Sequence, residues 1–150
     1  MRSIGFTGTQ DGMTQIQKEL IRLRAEAVLF SYSDVVFHHG CCIGSDEEFH
    51  EILRSLSQEV VIHGHPGDLP AKTSYVVDDC DILDARSPNL MRNGVLVTKS
   101  HELWSTPGGF SEEMRSGTWA TIRIAKKIKA PMDIIYPDGQ ITSLNERKPE

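Results

Sequence analysis

Short apolar runs along the chain alternate with longer stretches whose hydrophobic residues recur at helical spacing. Residues 2–7 (RSIGFT) run into Gly8-Thr9-Gln10-Asp11-Gly12, which predicts a first strand and a turn-rich loop. Met13, Ile16, Leu20, Leu23 and Ala27 then recur three and four apart, predicting an amphipathic helix with those residues on its buried face. Thr14 and Gln17 have the spacing of a capping box at its start. Residues 34–39 (DVVFHH) are rich in β-branched and aromatic residues and predict a second strand. The loop Gly40-Cys41-Cys42-Ile43-Gly44 follows, and Ser45 with Glu48 repeats the capping-box spacing. The helix they open carries Phe49, Ile52, Leu53 and Leu56 on one face, with Asp46, Glu47 and Glu51 near its positive dipole end.

Residues 60–64 predict a third strand ending in the turn His65-Pro66-Gly67-Asp68, and residues 69–87 show a weak pattern that predicts an irregular connection. A helix over 90–99, a fourth strand over 101–106, a helix over 118–129 and a fifth strand over 132–136 complete the series. The tail after Gly139 is polar and is expected to be frayed or loosely packed. Strands alternating with helices across short glycine-bearing loops predict βαβ units. The expected fold is therefore α/β, a Rossmann-like three-layer sandwich with a mainly parallel sheet of about five strands. Residues 1–139 would form one domain and residues 140–150 a polar tail. Right-handed crossovers place the loops after successive strands on one rim, where open α/β sheets hold ligands.

Composition narrows the partners. A net charge of −5 and a pI near 5.7 argue against nucleic acid, whose backbone demands clustered Lys and Arg. No run approaches membrane-spanning length and no apolar leader core follows Arg2, so a cytoplasmic protein with no membrane partner is expected. Three cysteines, Cys41, Cys42 and Cys80, argue against a disulfide framework, the first two being adjacent. Cys41 and Cys42 with His38 and His39 lack the spacing of zinc ligands. They are read as buried reduced thiols, and no metal or cofactor is expected.

Four motifs carry candidate chemistry. Gly8-Thr9-Gln10 ends a strand where unpaired helix amides can hold an anion. Gly40-x-x-x-Gly44-x-Asp46 gives a ligand close approach to the backbone, with Asp46 placed to accept from ribose hydroxyls or simply to favour the helix dipole. Arg92-Asn93 offers a planar cationic fork beside an amide. Pro107-Gly108-Gly109 is followed by Arg115 and then Gly117-Thr118-Trp119 at a helix start, where amides and a hydroxyl face an anion while Trp119 packs in the core.

Taken in this order, G-T-Q, G-x-x-x-G-x-D, R-N, P-G-G and G-T-W, over residues 2–139, resemble the SLOG superfamily. That superfamily includes DNA-processing protein A and the lonely-guy phosphoribohydrolases. The resemblance implies loops that bind nucleotides or NAD-derived molecules, with Gly8, Thr9, Arg92, Asn93, Gly117 and Thr118 at motif positions. Lonely-guy enzymes carry P-G-G-x-G-T-x-x-E without a break and use its glutamate. Here residues 110–116 interrupt the motif, and Thr121 stands where that glutamate would be.

The leading expectation is a module that senses, carries or sequesters a small phosphate-bearing nucleotide or an NAD- or ADP-ribose-derived ligand. The alternative is a nucleotide N-glycosidase or phosphoribohydrolase in which Asp46, Glu112 or Glu113 supplies the missing carboxylate. A third possibility is a protein-interaction domain that has lost its ligand. By analogy with related folds, a homodimer or larger homo-oligomer is expected.

Overall fold

The computed structural model describes residues 1–145. Seven strands lie in one sheet: β1 (Arg2–Gly8), β2 (Val35–His39), β3 (Val61–Gly64), β4 (Ile82–Leu83), β5 (Glu102–Thr106), β6 (Met132–Ile135) and β7 (Ile141–Leu144). Their order is β4-β3-β2-β1-β5-β6-β7. All neighbouring pairs are parallel except β6 with β7. The helices are α1 (Gln15–Ser31), α2 (Ser45–Leu56), α3 (Asn89–Lys99) and α4 (Gly117–Ile128).

The alternation of side chains along each strand supplies a core on both faces. Ile4, Phe6, Phe37, Ile62 and Trp104 pack with Ile21 and Ala25 of α1 and Phe49 and Leu53 of α2. Leu103, Met132 and Ile134 pack on the other side with Leu96 and Val97 of α3 and Trp119 and Ile122 of α4. This is the expected Rossmann-like three-layer sandwich, with seven strands in place of about five. Of the two added strands, β4 lies in the connection expected to be irregular, which also holds 3₁₀ turns at Pro70–Lys72 and Tyr75–Asp79. The other, β7, comes from the tail expected to fray. Its Ile141 pairs with Ile135 and its Leu144 with Met132, so backbone pairing to an exposed sheet edge holds a segment too polar to announce itself.

Two local expectations need correction. The inward face of α1 carries Gln17, Ile21 and Ala25, whereas Ile16 is 48% and Leu23 is 61% exposed. Gln17 faces inward because its amide nitrogen donates to the carbonyls of Pro107 (3.0 Å) and Ile135 (2.8 Å). The inward side is a neighbouring apolar face, on which Leu20, Val28 and Leu29 also pack against the core, and the Thr14 and Gln17 capping box forms as expected. At α2 the second capping box does not form, since the helix is capped by Gly44 with no side-chain bond. Ser45 Oγ instead donates to the Thr9 carbonyl (2.6 Å), and Glu48 Oε1 accepts from the Met13 N–H (2.6 Å). Both side chains anchor α2 to the loop after β1. No helix among the described residues is long and apolar enough to cross a membrane.

Candidate functional site

The strand order reverses between β1 and β5, and the C-terminal ends of such a pair splay apart to leave a crevice. A cleft of about 280 Å³ opens there. Its walls come from residues 6–11 at the end of β1, Gly40, Cys42 and Asp46 at the β2–α2 corner, Lys72, and Arg92, Asn93 and Leu96 of α3. Glu113, Arg115, Ser116, Gly117 and Thr118 close the remaining side.

The β2–α2 corner is folded around a buried carboxylate. Asp46 Oδ2 accepts from the N–H groups of Gly40 and Cys42, both at 3.2 Å. The Cys41 N–H donates to His39 Nδ1 (2.9 Å), Ile43 N–H to the Lys72 carbonyl (3.0 Å) and Ser45 N–H to the Thr9 carbonyl (3.1 Å). Gly44 sits at φ 85° against the Gln10 backbone, where any side chain would clash. Burial raises the Asp46 carboxyl to about 6, against the opposing pull of Arg92 and the two loop amides.

Arg92 is buried beneath this corner. Its Nη1 donates to the carbonyls of Gly40 (2.9 Å) and His65 (3.3 Å), and its Nε donates to Asn93 Oδ1 (2.9 Å). Nη2 has no protein partner among the described residues. Gly40 is required here, because a Cβ would run into the guanidinium.

The start of α4 differs. Ser116 caps the helix by accepting from the Trp119 N–H (3.3 Å), and the amides of Gly117 and Thr118 have no partner inside the helix. Thr118 is only 3% exposed, yet its Oγ1 has no hydrogen-bond partner among the described residues. Arg123 braces the preceding loop through Glu112 Oε2 (2.9 Å) and the carbonyls of Glu113 and Met114.

The cleft thus brings together Gly8, Thr9, Gln10, Gly40, Asp46, Arg92, Asn93, Glu113, Arg115, Gly117 and Thr118 of the expected residues. Gly44, Pro107, Gly108, Gly109 and Glu112 do not line it. Gly44 shapes the corner, and the Pro107 carbonyl is taken by Gln17. Gly108 lies against the Thr9 side chain, and Glu112 is turned to Arg123. The sequence reading did not assign Phe6, Thr7, Asp11, Cys42, Lys72, Leu96 or Ser116 to the site. Leu96 lies one turn beyond Arg92 on the same helical face, and Ser116 stands at the N-cap before Gly117-Thr118, so both were within reach of spacing arguments. Lys72 lies in the irregular connection, where no periodicity points to it, and its ammonium donates to Gln10 Oε1 (3.0 Å).

No protein-family model matches the chain, and no curated protein matches its sequence. Solved structures do share its fold, and they define it as a Rossmann-like α/β protein. One is the molybdenum cofactor binding protein from the phototrophic bacterium Rippkaea orientalis, with TM-score 0.66 and 18% identity over 90% of this chain and 76% of that one. Another is TM1055, a structural genomics target, with TM-score 0.62 and 19% identity over 88% of this chain and 72% of that one.

Proposed function

We propose that this protein binds a small phosphate-bearing nucleotide or an NAD- or ADP-ribose-derived ligand in the cleft between β1 and β5. The observation that carries the reading is the Thr118 hydroxyl, buried at the cleft wall without a partner. A buried hydroxyl left unpaired is costly, so a ligand oxygen that pairs with it would remove that cost. The amides of Gly117 and Thr118, the free edge of Arg92 and the side chain of Arg115 would receive phosphate from the same wall. That one structural neighbour is named for binding a cofactor is in keeping with a small ligand on this fold. The assembly proposed with it is a homodimer or larger homo-oligomer, which light scattering tests.

Thermal unfolding with AMP, ADP, ADP-ribose and NAD tests the binding reading. A ligand at a hundredfold excess over its Kd stabilises by about 2.7 kcal/mol, a rise of roughly 5–10 °C for a chain of this size. No shift with any of the four, together with no small molecule in native mass spectra, would refute it. One observation favours the hydrolytic alternative: Asp46, a carboxyl titrating near 6, shares the cleft with Glu113, and such a pair suits cleavage of an N-glycosidic bond. Release of free base that persists in both Asp46→Asn and Glu113→Gln would dismiss that assignment.

A further inference from the structure

Beside the cleft, but outside its lining, two thiols distant in sequence face each other. Cys41, in the loop after β2, is fully buried, and Cys80, just after the second 3₁₀ turn, is half-buried. Their sulfurs are 3.8 Å apart. They meet over Gly64 of β3, where a Cβ would stand 2.6 Å from one sulfur and 2.7 Å from the other. Only glycine at that position leaves room for the pair.

Two imidazoles lie beside them, and the direction of their hydrogen bonds separates metal chemistry from thiol chemistry. His39, His50 and Cys80 lie close enough to suggest a metal cluster. The Cys41 N–H, however, donates to His39 Nδ1 (2.9 Å), which places the His39 proton on Nε2, 2.9 Å from His50 Nδ1. His50 Nε2 then donates to Asp79 Oδ2 (2.8 Å). All four ring nitrogens are engaged, so neither imidazole has a lone pair to give a cation. The other histidine group, His38, His63 and His65, offers no better cage. Its rings stack nearly parallel, His63 on His65 at 4.2 Å and 19°, so their in-plane lone pairs do not converge. What remains reactive is sulfur.

The environment makes the two thiols unequal. Hydrogen bonding with Cys41, opposed by burial and aided by His50 and Arg54, draws Cys80 down to about 6, while Cys41 is pushed the other way. The more exposed sulfur is thus the better thiolate, and the buried one stands behind it.

We propose that Cys41 and Cys80 form a redox dithiol in which Cys80 attacks a small-molecule disulfide and Cys41 resolves the product, leaving a Cys41–Cys80 bridge. In the first step Cys80 bonds to one sulfur of the disulfide and expels the other as a thiolate. In the second, Cys41 loses its proton to that thiolate and attacks the Cys80 sulfur, expelling the remaining half. Two protein thiols and one disulfide become one protein disulfide and two small thiols. Closing the bond needs the sulfurs to approach by roughly 1.8 Å. The bridge would fasten the β2–α2 corner of the cleft to the 3₁₀ segment, and the proposal stands whether or not the cleft binds a nucleotide.

The test is incubation of the folded full-length chain with oxidised glutathione, followed by intact-mass measurement and non-reducing peptide mapping. The expected product has lost two hydrogen atoms, links the peptides of Cys41 and Cys80, keeps Cys42 free and unfolds at a higher temperature. Cys41→Ser should stop halfway with one glutathione on Cys80, and Cys42→Ser should still form the Cys41–Cys80 bridge. Oxidation through Cys42 would overturn the proposal, as would thiols that react only after unfolding, or Cys41→Ser carrying no adduct on Cys80. Release of stoichiometric zinc on oxidation would overturn it in favour of a metal site. The measurement on the unmodified chain requires no variant to fold.

Discussion

Two strand-to-helix corners meet at the cleft, and they handle their backbone amides in opposite ways. At the β2–α2 corner the protein satisfies its own donors: Asp46 takes the N–H groups of Gly40 and Cys42, His39 takes that of Cys41, and main-chain carbonyls take those of Ile43 and Ser45. At the start of α4 the amides of Gly117 and Thr118 have no partner within the helix, and the Thr118 hydroxyl has none among the described residues. Both corners contain glycine and both begin a helix, so glycine content does not distinguish a ligand loop from a closed one. The difference lies in whether a nearby acceptor, here Asp46, has already been spent on the backbone.

Acid should break the closed corner first, and with the largest effect. Burial, with the nearby His65 and His63, lowers His38 from 6.5 to about 3. Burial, with His63, lowers His65 to about 4, and burial holds His39 well below its usual range. Between pH about 6.5 and about 4 the unfolded chain therefore binds protons that the folded chain refuses, and stability falls as pH falls. Asp46 acts in the opposite sense, because its folded value near 6 lies above its unfolded one, and so does His50, which is raised. Three depressed rings outweigh these two. Protonating His39 also removes the acceptor for the Cys41 N–H. Urea unfolding midpoints should drop steadily from neutral pH toward pH about 4, and a flat profile would contradict the assignment of neutral buried rings.

A single substitution sharpens the same contrast. Asp46→Ala leaves the buried amides of Gly40 and Cys42 without their acceptor and removes a negative charge near Arg92, and losing one side of such an arrangement costs about 3 kcal/mol. Denaturant unfolding should show that loss, with Asp46→Asn keeping part of the stability through its amide oxygen. Unchanged stability in Asp46→Ala would mean that the corner is held by its main-chain bonds alone.

These corners also show what the sequence could disclose. Alternation and spacing were enough for the α/β sandwich, because the buried runs around Phe6, Phe37, Ile62 and Trp104 are apolar and bounded by glycine. The same rules failed at β4 and β7, where a two-residue strand and a polar edge strand gain order from pairing. They also caught the inward face of α1 only in part, at Met13 and Leu20, and missed Gln17, which is buried by bonds to residues 90 and 118 positions away. Topology alone brings most of the expected cleft residues together. Which amides are free could not be read from spacing, because it depends on where Asp46, His39 and Lys72 reach in three dimensions.

Thr118→Val tests the open corner. The hydroxyl has no partner among the described residues, so replacing it with a methyl should leave stability unchanged or slightly higher, by about 0–1 kcal/mol. A ligand that uses the hydroxyl should bind more weakly by about 1 kcal/mol, roughly fivefold. Titration calorimetry with whichever nucleotide stabilises the protein reads both the affinity and its change. Loss of stability with no loss of affinity would assign the hydroxyl to the fold.

Glu112→Gln carries the smallest expected effect, and its value lies in separating the two carboxylates of the interrupting loop. Glu112 pairs with Arg123 at 2.9 Å on the protein surface, where ion pairs contribute about 0–1 kcal/mol. Arg123 also donates to the carbonyls of Glu113 and Met114, so the loop keeps two of its braces when the charge is removed. Stability should therefore change by less than about 0.5 kcal/mol, and ligand affinity should hold, because Glu112 points away from the cleft that Glu113 lines. Glu113→Gln, measured beside it, is the informative partner. If the first substitution weakens binding as much as the second, the loop acts through its position rather than through a carboxylate at the wall, and the contrast between a closed corner and an open one extends to the segment that joins them.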